Sequence, residues 1–124
     1  MAKSLLIVDD SATMRKIVMR SVRMSGLEFD PVDEAENGAA ALEKLKASPA
    51  DLILCDINMP EMNGLEMVKK IRTEMPELNS TKIVMVSSES AEDLVQGALD
   101  NGANDYITKP FTPEKFQQKL EPLL

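Results

Sequence analysis

The chain reads as an α/β protein, a doubly wound (βα)5 sandwich whose parallel five-stranded sheet runs in the order 2-1-3-4-5. Three observations predict this. Strand-like and helix-like stretches alternate five times along 124 residues. Three of the strand candidates, Leu5 to Val8, Leu52 to Cys55 and Ile83 to Val86, are continuous apolar runs rather than alternating ones, as strands covered on both faces require. Each of those runs then ends abruptly in polar side chains: Asp9-Asp10, Asp56 and Ser87-Ser88. In open α/β sheets ligands bind outside the carboxyl ends of the strands, where the strand order reverses.

Each element has its own signal. The run Leu5 to Val8 is followed by Met14, Ile17, Val18, Ser21, Val22 and Ser25 at helical spacing, and Gly26 is a natural stop, so a helix is expected over residues 12–25. Residues 31–35 form a weaker and more polar strand candidate, and its proline and charges suit a sheet edge. Gly38, Ala41, Leu42 and Leu45 predict a short second helix. After the Asp56 strand, Met59-Pro60 and Asn63-Gly64 mark a loop, and Leu65, Val68, Ile71 and Met75 give a third helix before Pro76. Residues 76–82 read as a polar, structureless loop. A variant capping box, Ser90 to Asp93, opens a fourth helix with the apolar face Leu94, Val95, Ala98 and Leu99, closed by Gly102. Residues 106–108 form a last strand before Lys109-Pro110. Thr112-Pro113 then caps a final helix whose inner face is Phe116, Leu120, Leu123 and Leu124.

Composition narrows the function. Residues 1–124 are enough for one domain and are expected to carry no output domain. Fourteen basic against 21 acidic residues give a net charge of −7, which argues against nucleic acid as a partner, because backbone-tracking proteins cluster Lys and Arg. The single cysteine, Cys55, lies inside an apolar run and reads as a core residue in a reducing compartment. No stretch has the length of a membrane span or a signal-peptide core, so a soluble, cytoplasmic protein is expected. The nine methionines read as core gap-fillers, and Lys115 and Lys119 as a solvated helix face.

The predicted topology gathers Asp9, Asp10 and Asp56, with Ser87 and Lys109 on neighbouring strands, at one edge of the sheet. Three adjacent carboxylates repel one another unless a cation sits among them. With no His in the chain and only hard oxygen donors, Mg²⁺ or Mn²⁺ is indicated rather than zinc or copper. Such a site meets phosphate well, with Lys109 and Ser87 as further contacts and Asp56 as a carboxylate nucleophile able to form an aspartyl phosphate.

The Asp9-Asp10 pair, Asp56 with Asn58-Met59-Pro60 and Gly64, Ser87, and Lys109-Pro110 together resemble the signature of the response-regulator receiver domain across essentially the whole chain. The fold of that family is flavodoxin-like. Residues 9–16 and Tyr106 are similar to stand-alone, CheY-like members. The resemblance implies that Asp56 accepts a phosphoryl group from a sensor histidine kinase, and that Asp10, Asp56 and the Asn58 carbonyl ligate Mg²⁺, with Asp9 acting mainly through water. It implies switch roles for Ser87 and Tyr106, phosphoryl pairing by Lys109 before a commonly cis Pro110, and an output partner on the face of the fourth helix, last strand and last helix. A phosphatase partner and a role in chemotaxis fit the same resemblance, with a phosphorelay receiver as the alternative.

Other readings of these residues are plainer. Asp9, Asp10 and Ser87 could each cap a helix, Asp56 alone could serve the turn, and Tyr106 could simply pack at a sheet edge. A free-standing Mg²⁺-dependent phosphohydrolase would need a second acid two residues after Asp56, where Asn58 stands. A nucleotide- or flavin-binding domain would need a Gly-rich phosphate loop, and none follows any strand.

Overall fold

The computed structural model describes residues 3–88 and 92–124. The elements are β1 (Lys3–Val8), α1 (Ala12–Met24), β2 (Phe29–Ala35), α2 (Gly38–Ala47), β3 (Leu52–Cys55), α3 (Gly64–Glu74), β4 (Lys82–Ser87), α4 (Glu92–Asp100), β5 (Asp105–Thr108) and α5 (Pro113–Leu120). All pairings are parallel, and the sheet runs β2-β1-β3-β4-β5.

The continuous apolar runs are explained by burial on both faces. Leu6, Val8, Ile53, Cys55, Ile83 and Met85 point into one core with α2, α3 and α4. Their alternating neighbours Leu5, Ile7, Leu52, Leu54, Val84 and Val86 point into the other, beneath α1 and α5. β2 is the polar edge strand, as its proline and charges require. Cys55 is fully buried, and burial pushes its thiol well above the ordinary range, so it is a core residue without thiolate character.

Helix ends follow their caps. Ser11, Asn37, Asn63 and Thr112 each accept a backbone N–H from the first turn of α1, α2, α3 and α5. The expected capping box at Ser90 lies outside the described residues.

Several expectations need correction. The stretch 76–82 is not structureless: Pro76–Leu78 forms a 3₁₀ turn whose Leu78 is fully buried, and Lys82 already belongs to β4. Ile17 leaves the apolar face of α1 and is 44% exposed, because Val18 and Val22, one turn apart, already fill the contact with the sheet. On α4 Leu94, Val95 and Ala98 pack against the core as expected but Leu99 is exposed, while α5 stops at Leu120 and leads through a second 3₁₀ turn to an exposed Leu124. The methionines divide: Met67, Met75 and Met85 fill the core, whereas Met24 is 68% exposed. Lys119 also differs from a purely solvated lysine, since it pairs with Asp105 at 3.1 Å.

Candidate functional site

β1 and β3 lie side by side at the centre of the sheet, and the ladder between them extends to the Asp56 N–H, which donates to the Val8 carbonyl at 2.9 Å. Asp9 and Asp56 are therefore held at adjacent strand ends. Asp10 stands beside them, exposed. One carboxylate oxygen from each of Asp9, Asp10 and Asp56 lies within 4.8 Å of the others.

Asp9 is buried, and its polar groups are engaged from several directions. Its N–H donates to the Ala35 carbonyl at 3.1 Å, and its Oδ1 accepts the Ser11 N–H at 3.0 Å. Its Oδ2 lies 3.2 Å from Lys109 Nζ, and its carbonyl accepts from Arg15 Nη1 at 2.6 Å. Asp9 is thus a turn former ahead of α1, whose cap is Ser11 and not Asp9, and it places a charge in the crevice beside Lys109.

Asp56 is set by local bonds. The Ile57 N–H donates to its Oδ1 at 2.8 Å, Lys109 Nζ lies 3.7 Å from its Oδ2, and the Ser87 hydroxyl hydrogen-bonds to the carboxylate. Burial pushes the Asp56 carboxyl above the ordinary carboxylate range and the Asp9 charge adds to this, while Lys109, Ser87 and the Ile57 N–H pull it back. Burial thus outweighs the ammonium and the hydrogen-bond donors that favour the charged form.

The remaining residues come from the strands beyond. Ser87 is fully buried at the end of β4 and pairs in register with Thr108. The Lys109 N–H donates to the Ser87 carbonyl at 2.9 Å, and the Lys109–Pro110 bond is cis. Asn58 lies exposed on the loop after β3. That loop is tied at both ends: Gly64 N–H donates to the Ile57 carbonyl at 2.8 Å and Gly38 N–H to the Met62 carbonyl at 3.2 Å. Tyr106 is buried on the α4 side of the sheet opposite Met85, as part of the hydrophobic core and not of the carboxylate group.

Sequence reasoning missed Arg15, Glu34 and Ile57. Nothing in spacing separates Arg15 from Lys16, Arg20 and Arg23 on the same helix. Ile57 acts through its backbone, which no side-chain pattern reveals.

The donor set fits a hard divalent ion. It offers carboxylate oxygens, close enough to share one cation, at a place where burial, with the Asp9 charge added, already penalises the ionised form of Asp56.

A doubly wound sheet with an acidic crevice at its central strand ends, facing a lysine from the last strand, defines an α/β protein whose candidate site lies at the point where the strand order reverses. Residues 5–121 match the family described as the response regulator receiver domain. The Helicobacter pylori chemotaxis protein CheY1 is 45% identical over 121 residues, covering 97% of this chain and 95% of that protein. A Campylobacter jejuni chemotaxis protein CheY homolog is 46% identical over 121 residues, covering 97% of this chain and 91% of that protein. Among solved structures, the Vibrio cholerae chemotaxis protein CheY4 has a TM-score of 0.86 at 33% identity, covering 100% of both chains. CheY in the CheX–CheY–BeF3–Mg complex from Borrelia burgdorferi has a TM-score of 0.82 at 27% identity, covering 98% of this chain and 90% of that one. The chain belongs to the response-regulator receiver-domain family and is a CheY-like signalling receiver. Among the described residues no helix is long and apolar enough to cross a membrane.

Proposed function

We propose that this receiver takes a phosphoryl group onto Asp56 from the phosphohistidine of a sensor kinase and passes the change to a protein partner, in chemotaxis. The observation that carries this is the grouping of Asp9, Asp10 and Asp56 within 4.8 Å of one another, with Lys109 Nζ 3.2 Å from Asp9 and 3.7 Å from Asp56.

In this reading an Asp56 carboxylate oxygen attacks phosphorus as the bond from phosphorus to the donor's imidazole nitrogen breaks, and the imidazole leaves with the electron pair. The Ile57 N–H fixes the rotation of the attacking carboxylate. Lys109 offsets charge on the phosphoryl oxygens, and the Ser87 hydroxyl exchanges its Asp56 contact for a phosphoryl oxygen. Asp10, Asp56 and the Asn58 carbonyl would hold Mg²⁺, with Asp9 contributing mainly through water; bound there, the ion supplies positive charge for the phosphoryl oxygens. The same groups, with water as the attacking species, support slow loss of the phosphoryl group, so the protein acts as a self-catalysed switch and not as a turnover enzyme.

The output lies on the face of α4, β5 and α5, with Ser87 and Tyr106 as the switch residues that carry the change to it. Two exposed features fit a docking face there: Leu99 on α4, and the half-exposed Lys119–Asp105 pair that links α5 to β5. The chemotaxis relatives from Helicobacter and Campylobacter support that pathway. The CheX–CheY complex supports a second protein partner, for which we propose a phosphatase of the aspartyl phosphate.

The test is incubation with acetyl phosphate or a phosphorylated kinase, with Mg²⁺ or EDTA, followed by detection of a base-labile adduct. The adduct is expected only with Mg²⁺ and only while Asp56 is present. Its formation in Asp56→Asn at the wild-type level would sink the assignment.

A further inference from the structure

We infer that Arg15 is a positioning residue for the acidic side of the crevice: by gripping the Asp9 carbonyl and Glu34 together, its guanidinium sets the direction in which Asp10 is presented. This rests on the reading of Asp9, Asp10 and Asp56 as a divalent-metal site.

Asp10 is exposed, so packing does little to fix it. What can fix it is the peptide that joins it to Asp9. That unit is planar, so holding the Asp9 carbonyl oxygen also holds the N–H and Cα of Asp10. Arg15 Nη1 donates to that oxygen at 2.6 Å, while Nε of the same guanidinium donates to Glu34 Oε1 at 2.9 Å. The Arg15 side chain is only 16% exposed. The other three bases of α1, Lys16, Arg20 and Arg23, all lie exposed.

The arrangement requires arginine. Two N–H groups of one rigid fork meet two acceptors on different elements, the end of β1 and the end of β2. A lysine ammonium has a single nitrogen on a flexible stem and cannot hold both acceptors in that geometry. Glu34 supplies the anchor: it is one residue from Ala35, whose carbonyl receives the Asp9 N–H. The peptide entering Asp9 is therefore tied to β2 directly, and the peptide leaving it is tied to β2 through Arg15.

A staple that served stability alone would give a different signature, and so would plain electrostatics. Removing a positive charge close to a cation site tightens cation binding by Coulomb's law. Loss of a positioning contact weakens it, and supporting contacts behind metal ligands are commonly worth 10- to 100-fold in affinity. The two accounts predict opposite signs.

The experiment is a Mg²⁺ titration of the full unphosphorylated chain by calorimetry, with the Asp9 and Asp10 amide resonances followed by NMR. Wild type is compared with Arg15→Lys, Arg15→Gln and Lys16→Gln, and each is melted in EDTA. About tenfold weaker Mg²⁺ binding is expected in both Arg15 variants, with shifted Asp10 amides in the metal-free state, whereas Lys16→Gln binds as tightly as wild type or tighter. Should Arg15→Gln fail to fold, Arg15→Lys decides alone, since it keeps the charge. A weakening below about fivefold in Arg15→Lys overturns the inference. Absence of Mg²⁺ binding in wild type overturns the metal-site reading itself and this inference with it, so the two failures are told apart.

Discussion

Lys109 and Asp9 are separated by 100 positions in the chain, yet Lys109 Nζ lies 3.2 Å from Asp9 Oδ2, nearer than its 3.7 Å approach to Asp56. Both carboxylates lean on one ammonium. Lys109→Ala takes the ammonium away from the buried Asp9 carboxylate and removes a contact that holds the Asp56 carboxyl down. The expected cost is about 1–3 kcal/mol in EDTA at neutral pH, read by thermal melts, and excess Mg²⁺ recovers part of it by replacing the lost cation. Phosphorylation by acetyl phosphate is expected to fall by about 100-fold or more. A variant that matched wild type in both measurements would remove Lys109 from the site.

Asp56 gives a pH prediction of definite sign. Burial and Asp9 raise its folded-state pKa above that of the unfolded chain. Its contribution to stability is then fully present below the unfolded pKa and is lost as pH rises through the folded pKa. At neutral pH the ionised carboxylate is a cost, so Asp56→Asn is expected to melt a few degrees higher than wild type in EDTA. The gain shrinks as pH falls through the carboxylate range, where Asp56 itself becomes neutral. Melts at pH 7.5 and pH 4 check this; an Asn variant less stable than wild type at pH 7.5 would contradict it.

The features legible in the sequence share one cause, and those that were not legible share another. Leu52 to Cys55 could be read as a doubly covered strand because burial on both faces removes polar residues from every position. Asp9, Asp56, Ser87 and Lys109 could be placed together because each ends or follows a strand, and a parallel sheet brings all those ends to one edge. The Pro76–Leu78 turn escaped because three residues carry no period, and Leu78 is anchored by distant contacts. The Arg15 clamp escaped because its acceptors, the Asp9 carbonyl and Glu34, lie on other elements, and α1 offers three more bases with the same local appearance.

Three glycines that look alike in sequence are expected to respond differently to alanine. At Gly64 an added Cβ would stand 2.1 Å from the Asp56 carbonyl oxygen and 2.8 Å from Met85 Cε, so the loop carrying Asn58 must move. Gly64→Ala is expected to cost about 3 kcal/mol and to weaken Mg²⁺ binding along with stability. Gly26 has open space around it but φ of 88°, so alanine costs about 1 kcal/mol there through backbone strain alone. Gly97 lies inside α4 with nothing within 4 Å, and Gly97→Ala is expected to stabilise by about 0.8 kcal/mol. Denaturant midpoints at constant slope give the order, and a Gly64→Ala variant as stable as wild type would refute the close approach.

Arg72 supports the structure beneath the α3 to β4 connection. Its Nε donates to the Gly102 carbonyl at 3.0 Å, Nη1 to the Leu78 carbonyl at 3.0 Å, and Nη2 to the Thr81 carbonyl at 2.8 Å and Asn104 Oδ1 at 3.1 Å. Asn104 Oδ1 also accepts the Ile83 N–H, so one guanidinium joins α3, the Leu78 turn, the start of β4 and the loop before β5. Lysine keeps the charge but cannot reach acceptors on so many sides from a single nitrogen. Arg72→Lys is therefore expected to destabilise by about 2 kcal/mol, with hydrogen exchange accelerated first at Thr81, Ile83 and Gly102. Because this cluster lies at the opposite end of β4 from Ser87, the Mg²⁺ affinity of the folded protein should be unchanged. A variant that lost Mg²⁺ affinity while keeping full stability would show that the network acts on the crevice and not on the frame.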